Sequence, residues 1–250
     1  MWCPRCDQGE VVRGRTIQTN ESVLLCEECD ATWLEGETVS ASSFLDFSSF
    51  MEDRHLPGVW SEIVASGREC CEDDYLKIAF NNNWLIEWTD GRLELLRPTN
   101  IEHQLIVGRL FHLFNLFVQT AHLGVVLFAP LPVKVASTRY REPDLIFQSA
   151  ANHAKSNRKY YEGADLVVEV VSDDPQSHVR DYEQKLEDYA RANIPEYWIV
   201  DPQTSTISVM TLNSGRYEAR GVYKTGDIAS SKLLEGLTVT VDDVFAAGKK

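Results

Sequence analysis

Three ionisable residues stand where side chains of their type are costly. Asp144 follows Pro143 in "YREPDLIF" (140–147), at the mouth of a short apolar run. Proline cannot donate a ladder hydrogen bond and suits the first residue of a strand. Asp144 is then an acid where that strand enters the core. Glu169 interrupts "ADLVVEVVS" (164–172), a nearly continuous apolar strand. Strand alternation puts it on one face with Val167 and Val171. An ionised carboxylate there is expensive unless it is paired or binds a metal. Two carboxylates on adjacent strands, pointing the same way, make an oxygen site for a hard cation such as magnesium. Lys185 lies in "PQSHVRDYEQKLEDYARAN" (175–193), an amphipathic helix in which Asp181, Lys185 and Tyr189 share one side. It borders the apolar stripe of Tyr182, Leu186 and Tyr189, so its stem can lie on the core and its ammonium can reach an acidic site. Each residue also has a plainer reading: a Pro-Asp turn, a buried Glu–Arg pair, a solvated helix lysine.

The cysteines suggest a second kind of chemistry. Cys3-Pro-Arg-Cys6 and Cys26-Glu-Glu-Cys29 are two C-x-x-C knuckles with 19 residues between them, a zinc-site spacing. Four thiolates close a tetrahedral shell and leave no open position, so such a zinc is structural. In so short a segment, metal binding drives folding. A redox or free-thiol role is the alternative. Cys70 and Cys71 are adjacent, have no partners at ligand spacing and read as ordinary thiols.

The surrounding elements follow from pattern. Between the knuckles, "EVVRGRTIQTNESVLLC" (10–26) reads as two strands around a polar turn. Residues 40–67 read as one or two short helices wrapping this module. A boundary near 70 separates residues 1–70, a zinc ribbon with a helical extension, from a second domain at 71–250. That domain opens with a helix (72–82), a hairpin around Thr89-Asp90-Gly91 and a helix over 100–122. Strands follow near 124–128, 131–136 and at "PDLIF", then a basic connection (152–163). The strand at 164–172 is apolar enough to be central and covered on both faces. The helix at 175–193 and strands at 195–201, 206–212 and 216–223 complete the order. Hairpins mixed with strand–helix–strand units indicate an α+β fold, a mixed β-sheet flanked by helices.

Composition narrows the function. Of 250 residues, 44% are apolar, enough for a real core. No apolar N-terminal segment and no membrane-length run is present, and six cysteines in such a chain are not a disulfide framework. A cytoplasmic protein with no membrane contact is expected. The net charge of −14 argues against a simple DNA-coating protein. Residues 1–75 hold five Lys/Arg against sixteen Asp/Glu, a balance of −11, and the remainder carries −3.

"REPDLIF", "ADLVVEVVSDD" and "RDYEQKLEDYARANIPEYWIVDP", with "IEWTDGRLELL", "EHQLIVGRL" and "LLEGLTVTVDDVF", resemble the Uma-two (Uma2) family of restriction endonucleases, a bacterial branch of the PD-(D/E)XK nuclease superfamily. The resemblance covers roughly residues 72–247. It implies a restriction-endonuclease-like sheet, magnesium or manganese on Asp144 and Glu169, and hydrolysis of a DNA phosphodiester. The superfamily's lysine would fall at Val171; the family carries it on the next helix, where Lys185 stands. Glu87 matches a family glutamate that would complete the metal shell. His103 matches a histidine at a helix start, where a structural role is equally open. Arg139, Arg141, Lys155, Arg158 and Lys159 cluster in sequence around the Asp144 strand and could meet phosphates. "MWCPRC" and "LCEECDATW" resemble small bacterial zinc ribbons, and the acidity of that segment favours a protein partner or an inhibitory lid over nucleic acid. The leading reading is a metal-dependent endodeoxyribonuclease with DNA as substrate. The alternative is a nuclease-fold regulator that binds DNA or protein and cleaves little. Homodimer formation is left open.

Overall fold

The computed structural model describes residues 1–67, 69–82, 85–96, 99–156, 159–173 and 179–249. The chain divides into two compact units, Met1–Leu96 and Arg97–Lys250. The sequence places a boundary near residue 70; the division by packing falls at 96/97.

The first unit is built on a five-stranded sheet in the order β4-β3-β2-β1-β5. Its strands are β1 (Val11–Thr16), β2 (Ser22–Cys26), β3 (Ala31–Leu34), β4 (Leu45–Asp46) and β5 (Ile63–Ala65). The β1–β2 hairpin turns through Asn20, which adopts φ 58°, a left-handed conformation that asparagine tolerates. Of the short helices expected over 40–67, α1 (Phe47–Glu52) and a 3-10 turn (Trp60–Glu62) form, and β5 was not foreseen. Phe47, Phe50 and Met51 of α1 pack with Val23, Leu25 and Ile63. Then come α2 (Glu72–Asn82) and the hairpin of β6 (Ile86–Thr89) and β7 (Arg92–Leu95). Asp90 and Gly91 both have positive φ, as a two-residue hairpin turn requires.

The second unit carries a six-stranded sheet in the order β16-β15-β14-β13-β11-β8. Its members are β8 (Gly124–Phe128), β11 (Leu145–Ser149), β13 (Leu166–Val170), β14 (Glu196–Asp201), β15 (Thr206–Asn213) and β16 (Arg216–Tyr223). β13 and β14 run parallel and the other neighbours antiparallel, so the sheet is mixed as expected. β13 is central and wholly buried. Shorter strands β9 (Val133–Ala136), β10 (Arg139–Arg141) and β12 (Tyr161–Glu162) stand apart from this sheet, and β17 (Ile228–Ser230) pairs with β18 (Thr238–Thr240).

Helices cover both faces. On one, α3 (Ile101–Thr120) lays Ile106, Leu110, Phe114 and Val118 against Leu145, Phe147, Val168, Val170 and Trp198. On the other, Tyr189 packs with Ile146, Val167, Val171, Tyr197 and Ile199. Each such buried apolar side chain contributes about 2 kcal/mol. The expected helix over 175–193 is described from residue 179 onward; Pro175 to His178 lie outside the described residues. It is not α-helical throughout: Arg180–Gln184 form a π-turn that runs into α5 (Lys185–Arg191). A short α4 (Ala150–His153) follows β11, and α6 (Val241–Gly248) closes the chain against α3.

Candidate active site

The register of β11 with β13 pairs Leu145 with Val168, Ile146 with Val167 and Phe147 with Leu166. One step further, Asp144 stands opposite Glu169. Opposed residues share a face, and Ile146 and Val167 lie in the cluster beneath the π-turn and α5. Asp144 therefore stands just before β11, not inside it, and Pro143 precedes the strand by two residues. Both Asp144 oxygens are engaged. Oδ1 lies 3.0 Å from His103 Nε2, and Oδ2 accepts from the Val170 backbone N–H at 2.7 Å.

Glu169 is buried, and Oε1 takes two donors: Lys185 Nζ at 2.8 Å and the Tyr189 hydroxyl at 2.5 Å. Oε2 has no hydrogen-bond partner among the described residues. Lys185 Nζ also lies 3.3 Å from Asp181 Oδ1. The lysine was expected at the border of the apolar stripe; instead its side chain is only 3% exposed, on a par with the acids it meets. Burial pushes the Glu169 carboxyl up to about 8; Lys185 draws it down, and the charges of Asp181 and Asp144 push it up. Burial opposes protonation of His103, but Asp144 outweighs it by charge and hydrogen bond, helped by Glu169 and Asp181, and the imidazole is held above its ordinary value. Asn100 caps α3 by accepting from the His103 N–H at 2.8 Å, which fixes the first turn that carries the imidazole.

A family model described as "Putative restriction endonuclease", Uma2, matches residues 72–242. The chain belongs to the Uma2 family. Solved structures that match include one titled "Crystal structure of a putative nuclease belonging to DUF820 from Anabaena variabilis ATCC 29413", at 15% identity and a TM-score of 0.54. It covers 65% of this chain and 90% of that one. At that identity the likeness is one of fold, and the fold is nuclease-like. No curated protein matches the chain.

Within the Uma2 region, the basic residues around Asp144 separate into different roles. Arg141 is buried and donates from Nε to Asp188 Oδ2 at 3.0 Å, while Arg139 pairs with the other Asp188 oxygen. These two arginines bind α5 to the strand before the site, so Arg141 is no surface contact for phosphate. Lys155 lines a cavity of about 320 Å³ with Gln148, Asn152 and Tyr160. Arg158 lies outside the described residues. Glu87 is buried on β6 in the first unit. Asp181 and Tyr189, absent from the expected set, touch its members; their four-residue spacing from Lys185 was the available signal.

Upstream of the Uma2 match, Cys3, Cys6, Cys26 and Cys29 converge, with all sulfurs within 4.8 Å of one another. Cys3 and Cys29 sulfurs lie 3.6 Å apart and those of Cys6 and Cys26 3.7 Å. A tetrahedron with 2.3 Å bonds has edges of about 3.8 Å, so the spacing fits zinc. Each knuckle is followed by an aspartate with positive φ, Asp7 at 53° and Asp30 at 58°. Gly9 leaves room: a Cβ there would lie 2.7 Å from Cys26 Sγ. Backbone N–H groups of Gly9 and Gln8 draw the Cys6 thiol down to about 6, while burial pushes Cys29 up to about 12. Four crowded sulfurs resist a second negative charge, and a dication removes that resistance. Among the described residues, no other group of three or more His, Cys, Asp or Glu converges this tightly. No helix among them is long and apolar enough to cross a membrane.

Proposed function

We propose that this chain is a divalent-cation-dependent endonuclease that hydrolyses DNA phosphodiester bonds, with Asp144 and Glu169 as cation ligands and Lys185 serving the transition state. The observation that carries this reading is the cross-strand opposition of Asp144 and Glu169, with the Lys185 ammonium 2.8 Å from Glu169. The donor set suits a hard cation: it is carboxylate oxygen, and Glu169 keeps one oxygen unpartnered among the described residues. A magnesium or manganese ion held there supplies Lewis-acid polarisation of the scissile phosphate and a more acidic bound water. His103 and the Val170 N–H fix the orientation of Asp144. Tyr189 fixes Glu169. Lys185 brings a positive charge into a water-poor site, where donation to a phosphate oxygen strengthens as negative charge develops.

Cleavage of supercoiled, linear and single-stranded DNA with magnesium or manganese tests the proposal. Asp144→Ala and Glu169→Ala should lose cleavage, because each removes an anionic ligand. Lys185→Ala should still bind the cation but turn over roughly 100-fold more slowly. Glu87→Gln, read in the same assay, tests the shell role that the resemblance gives Glu87. Equal cleavage by wild type and Asp144→Ala would mean a contaminating nuclease and remove the proposal.

We further propose that the four cysteines hold a structural zinc and that the protein works in the cytoplasm. Metal analysis should find about one zinc per chain, since four thiolates make one closed site; disulfides without zinc would overturn both points. One observation keeps a second reading, that of a DNA- or protein-binding regulator: the balance of −11 over residues 1–75, which disfavours nucleic acid near that segment and suits a basic protein partner. It prevails if no form cleaves DNA while binding persists.

A further inference from the structure

The site contains a third acid that the proposed chemistry leaves unused. Asp181 lies in the π-turn Arg180–Gln184, four residues before Lys185. Its side chain is 3% exposed, and Oδ1 has no hydrogen-bond partner of good geometry. Two cations are near it, Lys185 Nζ at 3.3 Å and Arg180 Nε at 3.6 Å. π-turns are rare and concentrate at functional sites. This one is held at Asp181: the buried Tyr197 hydroxyl donates to the Asp181 carbonyl at 2.9 Å, and the Lys185 N–H reaches back to the Arg180 carbonyl. The fold thus spends an uncommon turn and a buried hydroxyl on presenting a buried acid to Lys185.

The Lys185 ammonium is shared, 2.8 Å from Glu169 and 3.3 Å from Asp181. Bound to Glu169 alone, it would neutralise the carboxylate that a cation needs. A second carboxylate gives it somewhere to stay when Glu169 is taken. Asp144, Glu169 and Asp181 bring three negative charges to a site where a dication, the Lys185 ammonium and the Arg180 guanidinium near Asp181 would bring four positive ones. Without Asp181, the excess positive charge of a buried site holding these cations would grow, which burial penalises.

We propose that Asp181 is a positioning residue that retains the Lys185 ammonium in the site while releasing Glu169 to a divalent cation. The inference rests on the cation-site reading of Asp144 and Glu169. It predicts a signature in cation binding that depends on the lysine, apart from any cleavage.

The test is titration of the zinc-loaded, full-length protein with Mn²⁺, followed by electron paramagnetic resonance, with circular dichroism to check folding. Asp144→Asn identifies which Mn²⁺ belongs to the acidic site. Asp181→Asn should weaken that Mn²⁺ about tenfold, within the coupling of neighbouring charged groups. Adding Lys185→Met should remove the defect, so that the double variant binds as Lys185→Met alone does. Asp181→Glu keeps the charge and should bind within about threefold of wild type; a tenfold loss there sinks the inference even if Asp181→Asn does not fold. Equal weakening with and without Lys185→Met makes Asp181 a direct ligand and overturns the positioning role. No weakening in either background overturns it as well. Wild type without Mn²⁺ binding, or binding indifferent to Asp144→Asn, defeats the underlying cation-site reading and this inference with it.

Discussion

Glu169 takes both of its donors on one oxygen while burial holds its proton, and this sets how the site responds to pH. Its folded value of about 8 lies above the ordinary 4.5. Between these, the folded protein keeps a proton that the unfolded chain has lost. The stability from this group is fully present below about 4.5 and is lost as pH rises through about 8. His103 is also raised, so its contribution is present below about 6.5 and fades above its folded value, in the same sense. The cation-free protein should therefore melt at a lower temperature at pH 8 than at pH 5, and Glu169→Gln should flatten that trend. If Glu169 holds the cation as proposed, Mn²⁺ should raise the melting temperature more at pH 8, where the ligand is deprotonated. Scanning calorimetry across pH 5–8 checks this. A cation-free melting temperature that rises over that range would mean that Lys185 keeps Glu169 ionised throughout.

Between elements, the site is held by packing on both sides of β13. On the α3 side, Phe114 meets Trp198 edge-on, ring centroids 5.2 Å apart, and both are buried. Phe114→Ala should cost about 3–5 kcal/mol through lost burial and a residual cavity, read as a lower urea midpoint with little change in slope. The same helix carries His103 to Asp144 at its first turn, so loosening its middle should also weaken cation binding. On the other side, Arg141 and Arg139 converge on Asp188. Breaking that buried set leaves an uncompensated charge, so Asp188→Asn should be more destabilising than loss of an exposed pair such as Arg191–Glu187.

Across the whole chain, charge and the cysteine knuckles divide the molecule. Residues 1–75 carry −11 of the net −14, and the Uma2 match begins at residue 72. A chain starting at residue 72 keeps the matched region and the large sheet. It loses the bonds that the Leu95 N–H donates to Ser66 Oγ, the Gly67 N–H to the Leu93 carbonyl and Trp88 Nε1 to the Cys70 carbonyl, so the β6–β7 hairpin should be weakened while the 97–250 core persists. If the acidic segment acts as a lid, this shorter chain should bind DNA more tightly at low salt, with the gap closing near the salt level where screening reaches about 8 Å. Fluorescence anisotropy at two salt concentrations checks it; equal affinity at low salt excludes the lid. If the knuckles hold zinc as proposed, a strong chelator should unfold them, since Cys3 and Cys26 lie within their small core.

The cysteine knuckles, the α3 periodicity, the Asp90-Gly91 hairpin and the apolar strand around Glu169 are local signals, and the sequence alone determined them. Spacing along the chain suffices when two cysteines are separated by two residues or side chains repeat on one helix. It also put Glu169 on the face of Val167, because alternation is a property of a single strand. What lay beyond it were relations between segments distant in sequence. The pairing of β11 with β13, which sets Asp144 opposite Glu169, is a register, and register is chosen by the packing of both sheet faces. Burial of Lys185 depends on that packing too; its helix pattern reads equally well as a solvated border. The π-turn leaves no mark in hydrophobic period, so Asp181 looked like one more acid on an amphipathic helix. Arg141 read as a candidate phosphate contact and is a buried partner of Asp188, 47 residues away, because only the folded sheet and helix bring the two charges together.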